Sequence, residues 1–252
     1  MRATHQGFTL LEIMIALTIG LFLMTALITI VQSNKAVFGS QNQLEQMQDG
    51  QRMAMSLMAD VIQSASYFPD PTSNILGTAL PQNVTLGFAN SQGIVGAPNG
   101  AFGDSVSVRY MTAGQDGILN CSGTSNTNPV GPANNRLYVN QFAVQAGVPS
   151  GQLVCTVTVG NVSTPYTLVS GVTNLTVLYG VKTNSSPGNS VDTYLNASQM
   201  NLTPLLWQNV ISVLIKLTFT NPLYTGAGQG QPLTISVQRV VDLMNQTGGP
   251  PS

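Results

Sequence analysis

Charge is scarce in this 252-residue sequence: Asp, Glu, Lys and Arg together make up 7% of it, against roughly 25% in an ordinary soluble domain. The eight Lys and Arg are scattered singly, which excludes the basic stripe of a nucleic-acid binder. A formal net charge of −1 offers no long-range steering toward charged partners. Histidine is nearly missing too: the single one, His5, lies within the first seven residues, and there are two cysteines, Cys121 and Cys155. Hydrolytic and metal chemistry draws on His, or on clusters of Cys, Asp and Glu. The nine carboxylates are spread along the chain, with Glu45 and Asp49 the closest pair. No Gly-rich phosphate loop, G-x-S-x-G or metal-ligand spacing occurs. The reading is a protein that is not an enzyme and carries no metal or cofactor.

Amides and hydroxyls stand where charge is missing. Asn, Gln, Ser and Thr number 87, over a third of the chain, while 43% of residues are hydrophobic. That apolar share argues against wholesale disorder. A polar but nearly uncharged composition suits an extracytoplasmic, secreted or filament-forming protein.

The N-terminus is the most informative stretch. From Ile13 to Asn34 there is no charged residue, and Ile13 to Val31 is broken only by Thr18, Gly20, Thr25 and Thr29. As a helix those residues span about 28 Å, close to the thickness of a hydrocarbon core. Eleven of the 19 are Leu, Ile, Phe or Val, which makes insertion favourable by about 3 to 7 kcal/mol. A secretory signal peptide is the plainer reading. Against it, the apolar run is long, and Val31-Gln32-Ser33-Asn34-Lys35 is a poor cleavage site. A buried core helix fits less well, because the run has no polar face. Glu12 stands at the edge of the run, and a carboxylate there is expensive. It either rests among headgroups or has a partner.

Taken together, Gly7-Phe8-Thr9-Leu10-Leu11-Glu12 followed by an apolar helix resembles the class III signal of type IV prepilins. The resemblance implies cleavage between Gly7 and Phe8, N-methylation of Phe8, and an assembly role for Glu12. Physical logic agrees. Arg2 marks the cytoplasmic side of the span. Cleavage frees an amine at Phe8 that can pair with Glu12 of a neighbouring subunit, relieving an unpaired carboxylate in lipid and setting register.

No proline occurs before Pro69, so nothing obligatory breaks a helix up to residue 68. Beyond the span, Val37, Leu44, Met47, Gln51, Ala54, Met58, Val61 and Ala65 recur at helical spacing. This methionine-rich stripe is read as packing on the protein's own sheet rather than as a binding groove. From about residue 70 the period changes to two: Val106, Val108 and Tyr110; Leu175, Val177, Tyr179 and Val181; Ile211 through Phe219; Ile235 and Val237. Residues 89–104, 122–135 and 183–190 read as loops. The expected fold class is α+β, type IV pilin-like: a long N-terminal helix packed on an antiparallel β-sheet head. The expected parts are a leader at 1–7, a helix at 8–68 with 8–31 transmembrane, and a β-rich extracytoplasmic head at 69–252 with a flexible tail from about 244. Cys121 and Cys155 fall in the head. In an oxidising compartment two such cysteines pair; two free buried thiols are the alternative.

Several stretches of the second half resemble the PilW minor pilins. They are Ser107-Val108-Arg109-Tyr110, Asp116-Gly117, Asn120-Cys121-Ser122-Gly123, Leu153-Val154-Cys155, Leu168-Val169-Ser170-Gly171-Val172, Leu178-Tyr179-Gly180-Val181, Asp192-Thr193-Tyr194 and Trp207-Gln208-Asn209-Val210. Asn120 stands where the family pattern has Asp before the Cys. The resemblance implies a low-abundance subunit that helps initiate pilus assembly and stays at or near the tip. Its implied partners are other minor pilins, the major pilin, the prepilin peptidase and inner-membrane lipid. Its implied location is the bacterial inner membrane, with the N-terminus cytoplasmic, and then the extracellular pilus tip. A type II secretion pseudopilin, a pilus-tip adhesin and a membrane-tethered enzyme are the other readings.

Overall fold

The computed structural model describes residues 9–148, 150–184, 190–224, 226 and 230–244. The expected leader, the Gly7–Phe8 junction and the tail after Met244 lie outside these residues. Two compact units divide between Gln46 and Met47.

The first unit is the N-terminal part of α1, a helix running from Leu10 to Gln63. Its most apolar 18-residue window has a mean hydropathy of 2.5, and none of that window is buried within the protein. Length and composition suit it to cross a membrane. The side chains of Leu10 to Val31 are exposed all round, as suits a helix whose solvent is lipid.

Among its described residues, the second unit contains the rest of α1, the short helices α2 (Leu76–Ala79) and α3 (Ala197–Leu202), and nine strands. These are β1 (Ile94–Pro98), β2 (Asp104–Thr112), β3 (Arg136–Gln145), β4 (Gln152–Val159), β5 (Val162–Ser170), β6 (Val172–Val181), β7 (Thr193–Leu195), β8 (Val210–Thr220) and β9 (Thr234–Asp242). They form two sheets, of order β1-β2-β3-β4-β5 and β7-β6-β8-β9. Every strand pair in them is antiparallel. One core joins them: Met58 and Ile62 of α1, Val106 and Phe142 of the first sheet, and Val177, Ile215 and Phe219 of the second are buried together.

The sheet is thus two sheets rather than one, and Gly171 is the corner. A single residue separates β5 from β6. Gly171 sits at φ 87°, a left-handed conformation that costs other residues about 1 kcal/mol or more. Gly171 and Val172 both donate to the Gly151 carbonyl, and Gly171 in turn accepts from Thr220. The chain therefore turns out of one ladder and into the next without leaving backbone groups orphaned.

Two sequence expectations need correction. The helix ends at Gln63, not at 68. Ser66 takes φ 65° and donates its N–H to the Arg109 carbonyl, while the Tyr67 carbonyl accepts from Met111. Strand β2 captures the chain before Pro69 can stop it. The expected loop at 89–104 contains β1, which pairs with β2 from Ile94↔Val108 to Pro98↔Asp104. Gly96 and Pro98 mask its short period-two signal. The helical stripe is buried from Ala54 through Ala65, whereas Val37 is exposed. Met55, Ala59 and Ile62 are also buried, so the packed face is wider than one stripe.

Candidate functional site

At the start of α1, Thr9 acts as the cap. Its hydroxyl accepts from the Glu12 N–H at 3.3 Å, and its carbonyl accepts from Glu12 and Ile13. Glu12 thereby falls in the first helical turn, where the positive end of the helix dipole favours a carboxylate. Further along, Thr18, Thr25 and Thr29 donate their hydroxyls to the carbonyls of Ile15, Phe22 and Thr25. These internal bonds let polar side chains sit in an apolar solvent at little cost. Glu12, Ala16, Gly20 and Met24 line one shallow face of the helix, because Ala16 and Gly20 add almost no side chain. The result is a single carboxyl group at the head of a low, apolar strip. Gly7 and Phe8, the other predicted site residues, lie outside the described residues.

In the head, Cys121 and Cys155 form a disulfide with Cα atoms 6.3 Å apart. It ties the loop between β2 and β3 to the middle of β4. Cys121 also donates its N–H to Asn140 on β3 at 2.9 Å. Side chains complete the loop. The Asn120 carbonyl oxygen accepts from Ser122 and Thr124. Buried Asn126 donates to the carbonyls of Thr112 and Asn134, and Asp116 accepts from Ala113 and Ile118. Each amide does locally what a ladder does elsewhere. Between this loop and β5 lies a cleft of about 330 Å³, with Tyr138, Tyr166, Arg136 and Asn128 among its walls.

Arg109 is the residue whose role the sequence concealed. It is fully buried in β2, with its guanidinium 4.5 Å from the centre of the Phe88 ring. It donates to four backbone carbonyls, those of Leu80, Pro81, Ala89 and Gln92. Burial pulls its pKa down to about 10, so it stays charged at neutral pH. One cation thus supplies the donors for a segment, residues 80–92, that has no ladder of its own. The only sequence signal was a lone Arg inside an apolar period-two run.

Among the described residues, no group of three His, Cys, Asp or Glu is placed to hold a metal ion. The geometry is that of a capped apolar helix bearing one carboxylate, with a disulfide-tethered β-rich domain. Residues 2–28 match the Prokaryotic N-terminal methylation motif. That match supports a type IV pilus-related pilin, with an N-terminal helix long and apolar enough to cross a membrane. Residues 138–244, from β3 to just past β9, match PilW, Type IV Pilus-assembly protein W. Both matches bear out the resemblance carried by the sequence, and both families are structural pilus components. Curated proteins and solved structures yield no match.

Proposed function

We propose that this chain is a minor pilin that helps to initiate type IV pilus assembly and remains at or near the tip. The observation that carries the reading is the capped start of α1. Thr9 closes the helix, Glu12 lies in its first turn, and apolar residues follow without a polar face. Prepilin peptidase removes residues 1–7 by cutting between Gly7 and Phe8, and the new amine at Phe8 is methylated. Residues 8–31 span the inner membrane, and the head lies outside. Glu12 then pairs with the terminal amine of a neighbouring minor or major pilin. The pair neutralises two charges that lipid solvates poorly and sets the helices in register.

The test is mass spectrometry of the mature N-terminus together with a Glu12→Leu variant. The expected species begins at methylated Phe8. An intact Met1, or a cut near residue 31, overturns the reading. Glu12→Leu removes a charge from an apolar span, so insertion and cleavage should persist, while co-purification with other minor pilins and the number of surface pili should fall. Wild-type values for both would show that Glu12 makes no such contact.

A second reading, adhesion by the head, is supported by the cleft beside β5, whose two tyrosines and amide-rich loop suit a hydroxylated ligand. Normal pilus number with lost surface attachment in a Tyr166→Ala variant would favour it.

A further inference from the structure

Two of the eight cations in this weakly charged chain meet in one place. An open groove of about 650 Å³ in the head unit is lined by Gln48, Gln51, Arg52 and Met55 of α1 and by Val237, Gln238 and Arg239 of β9. The spacing on α1 puts Gln48, Arg52 and Met55 on one helical face. On β9, Arg239 is paired with Ile215, while its neighbours Val237 and Val241 pair with Leu217 and Val213. Those three partners on β8 are fully buried, so Arg239 stands on the core side of its strand.

Both arginines are exposed, and among the described residues no carboxylate lines the groove. Neither guanidinium makes a hydrogen bond or ion pair there, in contrast to Arg109 with its four carbonyls. Beside them, the Gln51 side-chain nitrogen is buried and has no acceptor among the described residues. Burying a donor unsatisfied is costly, and two like charges facing one groove repel. The fourth feature is the strand itself. β9 is the edge of its sheet, in the order β7-β6-β8-β9. One row of its N–H and C=O groups therefore has no strand partner among the described residues. A nine-residue free edge is a template for an added strand.

We propose that the groove between α1 and β9 docks an extended, carboxylate-bearing segment of a neighbouring subunit, which adds to β9 and places an Asp or Glu between Arg52 and Arg239. The proposal rests on the reading of this chain as a pilus subunit and names the chemistry of one partner. The edge strand selects a peptide, since a lipid headgroup has no backbone ladder to offer. The two guanidiniums and the Gln51 amide select an acceptor-rich side chain. In an added strand, alternate residues face the same side, so one acidic residue flanked by apolar neighbours matches the sequence Val237-x-Arg239-x-Val241.

The test is photo-crosslinking in cells that assemble pili, with p-benzoylphenylalanine replacing exposed Gln48 or Gln238 in the full chain. A second probe at Leu17 of the apolar helix reports subunit assembly separately. The expected result is an adduct from the groove probes to an Asp- or Glu-bearing segment of another pilus subunit, mapped by mass spectrometry. Its yield should drop roughly tenfold when Arg52→Gln and Arg239→Gln are combined. Arg52→Lys with Arg239→Lys, which keeps both charges, should retain most of it. An intact Cys121–Cys155 bond and an unchanged thermal transition show that the variants are folded. An adduct to lipid, to this chain's own residues 245–252, or to a segment without a carboxylate overturns the proposal, as does an unchanged yield in the double Gln variant. Adducts from Leu17 with none from the groove overturn the groove alone. Absence at all sites overturns the subunit reading and the groove with it.

Discussion

Replacing Cys121 and Cys155 together by alanine removes the one covalent tie in the head without leaving a free thiol. The bond closes a segment of 34 residues. On the chain-entropy relation, a loop of that length restricts the unfolded chain by about 4 kcal/mol. Little of that should be offset in the folded state. The loop keeps its other anchors: Cys121 N–H to Asn140, the Asn120 and Asn126 side chains, and the Tyr110 hydroxyl on the Leu119 carbonyl. The variant should therefore fold with wild-type circular dichroism and lose stability rather than structure. For a unit of this size, about 4 kcal/mol corresponds to a fall in Tm of roughly 8–16 °C. The assay is thermal and guanidinium unfolding of the detergent-solubilised full chain, followed by near-ultraviolet dichroism. Both sulfurs are buried, with Cys121 1% and Cys155 0% exposed. Reductant added to the folded wild type should therefore act slowly and then converge on the same Tm. A loss below about 1 kcal/mol would refute the argument that loop closure is what the bond contributes.

Arg109→Leu strips the donors from four buried carbonyls and should cost at least about 3 kcal/mol; fast hydrogen exchange across residues 80–92 is the accompanying sign, and normal exchange there would contradict it. Gly96→Ala directs a methyl into the Tyr179 hydroxyl, and Tyr179 is held edge-on against Trp207 at 4.6 Å. The expected cost is about 1–3 kcal/mol, checked by the denaturation midpoint. The last prediction concerns alkali. Burial raises the pKa of Tyr110 and of Tyr179, the latter fully enclosed, and lowers that of Arg109 to about 10. Above pH 10 the folded state keeps two tyrosine protons that the unfolded state loses, while the unfolded state keeps one arginine proton that the folded state loses. The net excess is one proton on the folded side, so stability, full below pH 10, should fall above it by about 1.4 kcal/mol per pH unit. Burial raises Tyr67 and Tyr138 as well, which steepens the fall. A flat stability profile from pH 9 to 11 would refute it.

Whatever depends on neighbours within a few turns is legible in the chain. The apolar run from Ile13 to Val31, the Thr9-to-Glu12 start and the absence of proline before Pro69 specify a membrane-competent helix through local spacing alone. Periods of two located β2, β6, β8 and β9, because alternation along one strand needs no knowledge of its partner. Strand β3 carries a weaker signal: Tyr138, Phe142 and Val144 alternate, but Asn140 interrupts the apolar face to accept from the Cys121 N–H. The remaining features are non-local and emerge on folding. The division into two sheets turns on Gly171, the end of α1 on a strand more than 40 residues later, and the burial of Arg109 on carbonyls 17 to 29 residues upstream. The groove that joins Arg52 to Arg239 brings together residues from opposite ends of the head. Such pairings depend on closure of long loops and on what each sheet face finds to pack against. Those choices are made by the assembled core, and no window of sequence contains both partners.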